Sequence, residues 1–102
     1  MKHVNKLVRD GIPDLIAAGG RTADYRVLSP AEFRANLEDK LDEELAEYRE
    51  TRDHIELMDL VEVIQAILET EGVDWATFER DRAARRAERG GFRARIWLHS
   101  VH

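Results

Sequence analysis

Apolar residues recur at helical spacing through the middle of the chain. One stripe contains Phe33, Leu37, Leu41, Leu45 and Tyr48. This spacing predicts an amphipathic helix from about Pro30 to about Arg52. Its start is well marked, because Ser29 suits the capping position, Pro30 suits the first helical position, and Glu32, three residues after the cap, completes a capping box.

A second long helix is predicted from about His54 to about Glu71. Its Ile, Leu and Val residues surround most of the circumference, as expected for a helix at the centre of a bundle or a dimer. Gly72 follows at the position where glycine commonly ends a helix. The short connection around residues 51–54 makes the two long helices antiparallel neighbours.

Shorter helices are predicted on both sides of this pair. Pro13 suits the first turn of a short helix that the glycine pair at 19–20 would end. Asp74 can cap a further helix that starts near Trp75 and ends at the glycine pair 90–91.

Two segments have the pattern of β-strands. Residues 25–28 look like a short strand, and in residues 92–98 alternate positions are apolar. The two segments can pair as a short two-stranded β element. The sequence therefore predicts a mainly α protein: a small helical bundle of two long antiparallel helices and shorter ones, with this β element, in a single domain over residues 1–102.

The composition is that of a small globular domain. The chain has 102 residues, of which 43% are hydrophobic, so it can form a core but would gain from oligomerisation. It contains no cysteine, which excludes disulfides and cysteine-based zinc sites and fits a reducing compartment. We expect a cytoplasmic protein without a membrane partner, because no apolar run approaches the roughly 18–20 residues that span a bilayer.

Charge is distributed unevenly along the chain, whose net charge is −5. Residues 36–74 contain fourteen acidic residues against three basic ones, whereas residues 75–102 contain seven arginines against three acidic residues. The two regions can be the metal-binding and phosphate-binding halves of one site, or they can simply be complementary solvated faces. The overall negative charge argues against a general nucleic-acid binder.

Two carboxylate clusters on the long helices carry the chemical signal. At about 100° per residue, Glu44 falls inside the apolar stripe and Glu47 at its edge. On the next helix, Glu56 and Asp59 share one side. Buried carboxylates are costly unless a cation compensates them, and hard oxygen ligands favour Mg²⁺ or Mn²⁺. The alternative is that these acids face water, as most glutamates on helices do.

Phosphate binding would have to come from side chains, because the chain has no glycine-rich phosphate loop. Arginine is well suited to this role, since its planar fork matches phosphate oxygens. The candidate cations are Lys6, Arg9, Lys40, Arg82, Arg85, Arg86 and Arg89. No serine or cysteine nucleophile is indicated, and the histidines lack the spacing of metal ligands.

The two acid clusters, Glu-Glu-x-x-Glu at 43–47 and Glu-x-x-Asp at 56–59, resemble those of the MazG-like all-α nucleoside triphosphate pyrophosphohydrolases. Residues 6–13 look like the N-terminal signature of a phosphoribosyl-ATP pyrophosphohydrolase-like branch. Residues 40–44 and 89–92 are similar to its middle and its end. The resemblance covers essentially the whole chain, and the combination is more specific than any one motif.

The resemblance implies a metal site and a reaction. Carried over by position, the metal ligands fall on Glu44, Glu47, Glu56 and Asp59. Such proteins typically use Mg²⁺, for which Mn²⁺ can substitute, to hydrolyse an NTP or dNTP to the monophosphate and pyrophosphate. They assemble as homodimers or homotetramers. Relatives often have lysine where this chain has Arg85, which leaves the phosphate contact of that residue open.

The leading hypothesis is a metal-dependent nucleotide pyrophosphohydrolase. Glu43 and Lys40 are the predicted catalytic residues, with Glu43 orienting water. The predicted phosphate-binding residues are Lys6, Arg9, Arg85 and Arg89. Three alternatives stay open: a phosphoribosyl-ATP pyrophosphohydrolase of histidine biosynthesis, a non-catalytic helical dimerisation module and, more weakly, a nucleic-acid-binding role for the arginine-rich end.

Overall fold

The computed structural model describes residues 2–102, and that part of the chain folds into four helices joined by irregular segments. The helices are α1 (Ile12–Ala18), α2 (Pro30–Thr51), α3 (Ile55–Thr70) and α4 (Trp75–Arg89). The prediction of a mainly α chain with two long helices is confirmed. Within residues 2–102, none of the helices combines the length and apolarity needed to cross a lipid bilayer.

The predicted β element is wrong. Residues 25–28 and 92–98 belong to no strand or helix, and most of their side chains lie in water: Val27 is 87% exposed. Alternation signals a strand only where a neighbouring strand and a core cover the apolar face, and an isolated pair of strands is at best marginally stable. Within residues 2–102 these segments have no such cover.

The start of α2 is fixed by the predicted capping box. Glu32 N donates to Ser29 Oγ at 3.2 Å, and Ser29 N donates to Glu32 Oε1 at 3.2 Å. Arg26 Nη2 adds a hydrogen bond to Glu32 Oε2 at 2.8 Å. This bond to Arg26, followed by the bonds to Ser29, lowers the pKa of Glu32 to about 2. The register of the α2 stripe therefore follows from local chemistry.

The end of α3 and the start of α4 are set by an equally local motif. Gly72 adopts a left-handed φ of +70°, Val73 N donates to the Leu68 carbonyl at 2.9 Å, and Gly72 N donates to the Glu69 carbonyl at 3.1 Å. These two bonds form a Schellman motif. Asp74 then caps α4 with its side chain. The turn therefore ends α3 and directs the chain into a new helix.

Within residues 2–102, the most extensive contact between helices is the one between α2 and α3. These two helices form an antiparallel hairpin whose turn is residues 52–54. Only Leu37 and Val63 are buried apolar residues within it. The accessible surface is 9203 Å², whereas a compact monomer of this mass exposes about 5,900 Å². The radius of gyration is 18.1 Å, compared with about 13 Å for a compact chain of this length. The hairpin is the structural unit, and α4 projects away from it.

Candidate metal centre

Carboxylates from α2 and α3 converge in the half of the hairpin nearest its turn. Glu44, Glu56 and Asp59 each have an oxygen within 4.8 Å of the others, and so do Glu43, Glu44 and Glu47. Glu44 belongs to both groups and is therefore the centre of the cluster. The four residues predicted as metal ligands lie together, because helical spacing places them on the sides of α2 and α3 that face each other.

Glu44 is the buried member of this cluster. It is 7% exposed, and its Oε2 atom is buried without a hydrogen-bond partner in the described part of the chain. Its other oxygen lies 3.9 Å from Lys40 Nζ. Burial, followed by repulsion from Glu47 and Asp59, raises the pKa of Glu44 to about 7. A buried carboxylate with an unsatisfied oxygen is costly, so the geometry calls for a cation or a proton at this position.

Glu56, at the edge of the cluster, also has a raised pKa. Desolvation, followed by the close approach of Glu47 and repulsion from Asp59, raises its pKa above the ordinary range. Carboxylates that share a small space disfavour one another's ionised forms. The pKa is thus raised on both helices, at Glu44 on α2 and at Glu56 on α3. Negative charge is concentrated between the two helices rather than confined to one side chain.

Two lysines bracket the neighbouring residue Glu43. Lys40 Nζ lies 3.0 Å and Lys6 Nζ 3.3 Å from Glu43 Oε1. Partial desolvation raises the pKa of Glu43, but the hydrogen bonds from Lys40 and Lys6 outweigh it and hold the pKa below its usual value. Glu43 is therefore an anion fixed by two cations, unlike Glu44 behind it.

The segment before α1 brings further cations to the site. Arg9 Nη2 donates a hydrogen bond to Asp59 Oδ1, and Lys6 contacts Glu43 from the same segment. Both side chains are about half exposed and can therefore rearrange. Three predicted cationic residues, Lys6, Arg9 and Lys40, thus lie at the acid cluster.

Arg85 and Arg89 lie elsewhere in the chain. α4 leaves from the far end of α3, and Asp59 precedes that end by eleven residues, which is about 17 Å of helix. Both arginines are exposed, and neither forms an ion pair with a carboxylate in the described range 2–102. Their predicted phosphate contacts stay predictions.

Arg34 organises the opposite end of the hairpin and has no signal in the sequence pattern. Its guanidinium donates to the Ile67 carbonyl at 3.3 Å, to Thr70 Oγ1 at 3.0 Å and to Glu71 Oε1 at 2.9 Å. These partners are 33 to 37 residues away along the chain. No local motif could have revealed them, yet they hold α2 against the last turn of α3 and so support the register at the acid cluster.

Comparisons with known proteins give a sequence relative of undetermined activity. No protein-family model matches the chain, and no solved structure matches it significantly. A protein of Mycolicibacterium smegmatis described as uncharacterized is 58% identical over 50 residues, which cover 47% of this chain and 51% of that relative. The aligned part thus spans about half the length of the curated relative. A function must therefore be argued from the site itself.

The donor set fits a small divalent cation. All the candidate ligands are carboxylate oxygens, which Mg²⁺ and Mn²⁺ prefer, and the buried Glu44 Oε2 lacks a hydrogen-bond partner within residues 2–102. Mg²⁺ commonly takes a few carboxylates and leaves its other positions to water and phosphate oxygens. The exposed cations beside the cluster provide complementary charge for such an anion.

Proposed function

We propose that this protein is a Mg²⁺-dependent nucleotide pyrophosphohydrolase of the MazG-like type, which converts an NTP or dNTP to the monophosphate and pyrophosphate. One observation carries the proposal: the buried Glu44 carboxylate, whose Oε2 atom has no hydrogen-bond partner among residues 2–102, lies among further acids, with exposed cations beside them. A metal ion would compensate the clustered carboxylates, and a polyphosphate would pair with the exposed cations. Nucleotide triphosphates in cells are bound as their magnesium complexes.

The four central acids would hold the metal. They are Glu44, Glu47, Glu56 and Asp59. When bound, Mg²⁺ supplies positive charge for phosphate oxygens and lowers the pKa of coordinated water, and Mn²⁺ would substitute for it. The raised pKa of Glu44 fits this role, because metal binding would favour the ionised form that the protein alone disfavours.

The surrounding residues would bind and orient the reactants. Glu43, fixed by Lys40 and Lys6, is the candidate to accept a hydrogen bond from the attacking water. Lys6 and Arg9 would exchange their carboxylate partners for phosphate oxygens when substrate enters, since charge stabilisation dominates phosphoryl transfer. Arg85 and Arg89 belong to this proposal as further phosphate ligands.

The proposal extends to assembly and location. The surface of 9203 Å² exceeds that of a compact monomer by more than about 3,000 Å², which supports a homodimer or homotetramer. The cysteine-free composition supports a cytoplasmic location.

A panel of NTPs and dNTPs with Mg²⁺, scored separately for pyrophosphate and for phosphate, tests the function. We expect pyrophosphate and nucleoside monophosphate in equal amounts, and loss of both products with a chelator. Phosphate as the product, or activity that does not require a divalent cation, would contradict the proposal. Including phosphoribosyl-ATP in the panel separates the histidine-pathway alternative from a general nucleotide hydrolase.

A non-catalytic dimerisation module is the second candidate, favoured by the exposed apolar side chains of α3. Leu57, Met58 and Val61 are 40%, 54% and 44% exposed. Calorimetric titration with Mg²⁺ or Mn²⁺ in the presence of a non-hydrolysable nucleotide separates the two candidates. Saturable metal binding that Glu44→Gln abolishes supports the enzyme, and its absence supports the module.

A further inference from the structure

The C-terminal arm, defined here as residues 80–102, lies apart from the rest of its own chain. Every residue in the arm is exposed. The arm nevertheless contains large apolar side chains, and Phe92 and Trp97 are 97% and 80% exposed. The other exposed apolar residues of the arm are Ile96, Leu98 and Val101. Apolar residues at this density are typical of a segment that is covered by a partner.

A second uncovered apolar surface lies on α3. This α3 surface consists of Ile55, Leu57, Met58 and Val61. It shares the helix with Glu56 and Asp59, so it adjoins the acid cluster. α2 covers the opposite side of α3, whereas α4 does not cover this surface. The hairpin therefore presents apolar and acidic groups next to each other.

The arm is complementary in charge to the acidic region that contains α3, and it is long enough to cover the α3 surface. The arm has seven arginines against two acidic residues, and residues 36–74 have fourteen acidic residues against three basic ones. Residues 92–98 would reach about 23 Å when extended, whereas the α3 surface from Ile55 to Val61 spans about 9 Å of helix. The extended segment is thus long enough to cross the whole α3 surface.

The turn between α3 and α4 argues against closure onto the same chain. Its Schellman bonds at Gly72 and Val73 and the Asp74 cap hold α4 in its projecting direction, and Trp75 stacks on Phe78 with ring centroids 5.4 Å apart. Laying α4 back along its own α3 would break this joint. A second copy of the chain can supply the arm with the joint intact.

The area also fits a second copy. Each chain exposes more than about 3,000 Å² beyond the surface of a compact monomer. Two copies that exchange arms would bury thousands of Å² in total, which is the range of obligate homodimers. A single small ligand could not cover surfaces of this extent.

We infer that the arm of one chain docks along the α3 surface of a second copy and brings Arg89 to that copy's acid cluster. Trp97 and Ile96 cover the apolar residues of the second copy's α3 surface. Arg89, which precedes residues 92–98 in the arm, meets the carboxylates of that copy's acid cluster. Each candidate site is then completed by a residue from the other chain. The docking stands on its own, whereas the role of Arg89 toward phosphate rests on the proposed function.

Cysteine cross-linking tests the docking without reference to activity, because the chain has no native cysteine. A chain with Met58→Cys and a chain with Arg93→Cys are mixed and oxidised. We expect the mixed disulfide between these two chains to form at least ten times faster than with Arg21→Cys, an exposed position outside the arm. Equal rates for Arg93→Cys and Arg21→Cys would overturn the proposal.

Sedimentation of the full chain supplies a second readout. We expect an assembly of at least two 11.8 kDa chains, and association at least tenfold weaker in the double variant Ile96→Asp, Trp97→Asp. The matched control Val27→Asp alters an equally exposed apolar residue outside both surfaces and should leave the assembly intact. A wild-type monomer, or an assembly insensitive to the arm variant, would overturn the docking.

Complementation tests the placement of Arg89. Glu47→Gln chains and Arg89→Ala chains, each inactive alone, are unfolded together and refolded as a mixture. If Arg89 acts on the other chain's site, half of the dimers are mixed and each has one intact site, so about a quarter of wild-type activity returns by random pairing. No recovery means that Arg89 acts within its own chain. A wild-type protein without activity would contradict the proposed function, while the cross-linking result decides the docking independently.

Discussion

The two ends of the α2–α3 hairpin differ in how their acidic side chains are compensated. At the end far from the turn, Arg34 donates to Thr70 and Glu71 and so gives the acidic side chain a protein cation. Near the turn, Glu44 is more deeply buried, yet none of the described residues gives its Oε2 atom a hydrogen bond, and Lys40 Nζ lies 3.9 Å from the other oxygen. The comparison separates charges that stabilise the fold from a buried charge that the described residues leave uncompensated.

The largest effect should come from removing single charges at the acid end. If the proposed function holds, we expect Glu47→Gln or Asp59→Asn to lower Mg²⁺-dependent pyrophosphate release at least about 100-fold, because an amide keeps the shape but loses the charge that would hold the metal. Initial rates measure activity, and circular dichroism verifies that the helices persist. Glu50→Gln, on the exposed side of α2, is the matched control and should retain wild-type activity. Activity retained in both ligand variants would show that the site is elsewhere.

The raised pKa of Glu44 predicts an unusual pH dependence of stability for the metal-free protein. The pKa is about 7 in the folded chain, compared with 4.5 for an unperturbed glutamate. The folded state therefore binds the extra proton between these values, and the free energy of unfolding falls as pH rises from 4.5 to 7. The loss is up to about 3 kcal/mol. Urea unfolding at about pH 5 and about pH 8 in chelator measures it.

Variants and metal give this pH effect its control. Glu44→Gln should remove most of the decrease, leaving the smaller part due to Glu56, whose pKa is also raised. Saturating Mg²⁺ should stabilise the wild-type protein more at the higher pH than at the lower one. Glu62→Gln, an exposed acid on α3, should behave as wild type. A Glu44→Gln chain that loses as much stability as the wild type would contradict the assignment.

At the Arg34 end of the hairpin, we expect a smaller effect, which changes stability and leaves activity unchanged. Arg34→Met should lower the free energy of unfolding by about 1–2 kcal/mol, because Thr70 and the Ile67 carbonyl lose a donor while the ion pairs with Glu38 and Glu71 are partly screened by water. Chemical denaturation measures it, with Arg80→Met as the exposed control. Specific activity per folded molecule should be unchanged, and no loss of stability would mean that Arg34 does not clamp the hairpin.

The smallest effect on stability should come from the exposed cations at the acid end. Lys6→Ala and Arg9→Ala should each change the free energy of unfolding by less than about 1 kcal/mol, since both side chains are about half exposed. They should raise KM for the nucleotide. Steady-state kinetics with Lys2→Ala as the control tests this, and an unchanged KM in both variants would show that neither residue binds phosphate.

Much of the architecture is predictable because it is local. The capping box at Ser29 and Glu32 and the glycine turn at Gly72 involve neighbours in sequence, and the observed helices begin and end where those signals lie. The convergence of Glu44 with Asp59 is also predictable, since helical spacing and a short turn determine which faces meet.

The errors and omissions arise from long-range contacts. The alternation in residues 92–98 predicts a strand, but alternation describes the segment and not its partner, and none of the described residues supplies one. The clamp formed by Arg34 joins residues more than thirty positions apart, and the projection of α4 leaves Arg89 away from the acids. Periodicity contains no information about either.

The sequence by itself determined the four helices, their caps and the side of each helix on which the acids lie, because these depend on bonds and spacings within a few residues. Only the tertiary structure decided that Glu44 is buried with an unpartnered oxygen, that Lys6 reaches Glu43 and that the arm stands free. Burial and ion pairing depend on which surfaces meet in space. That is why the candidate chemistry of this chain is found in its packing, although its helices can be predicted from its pattern.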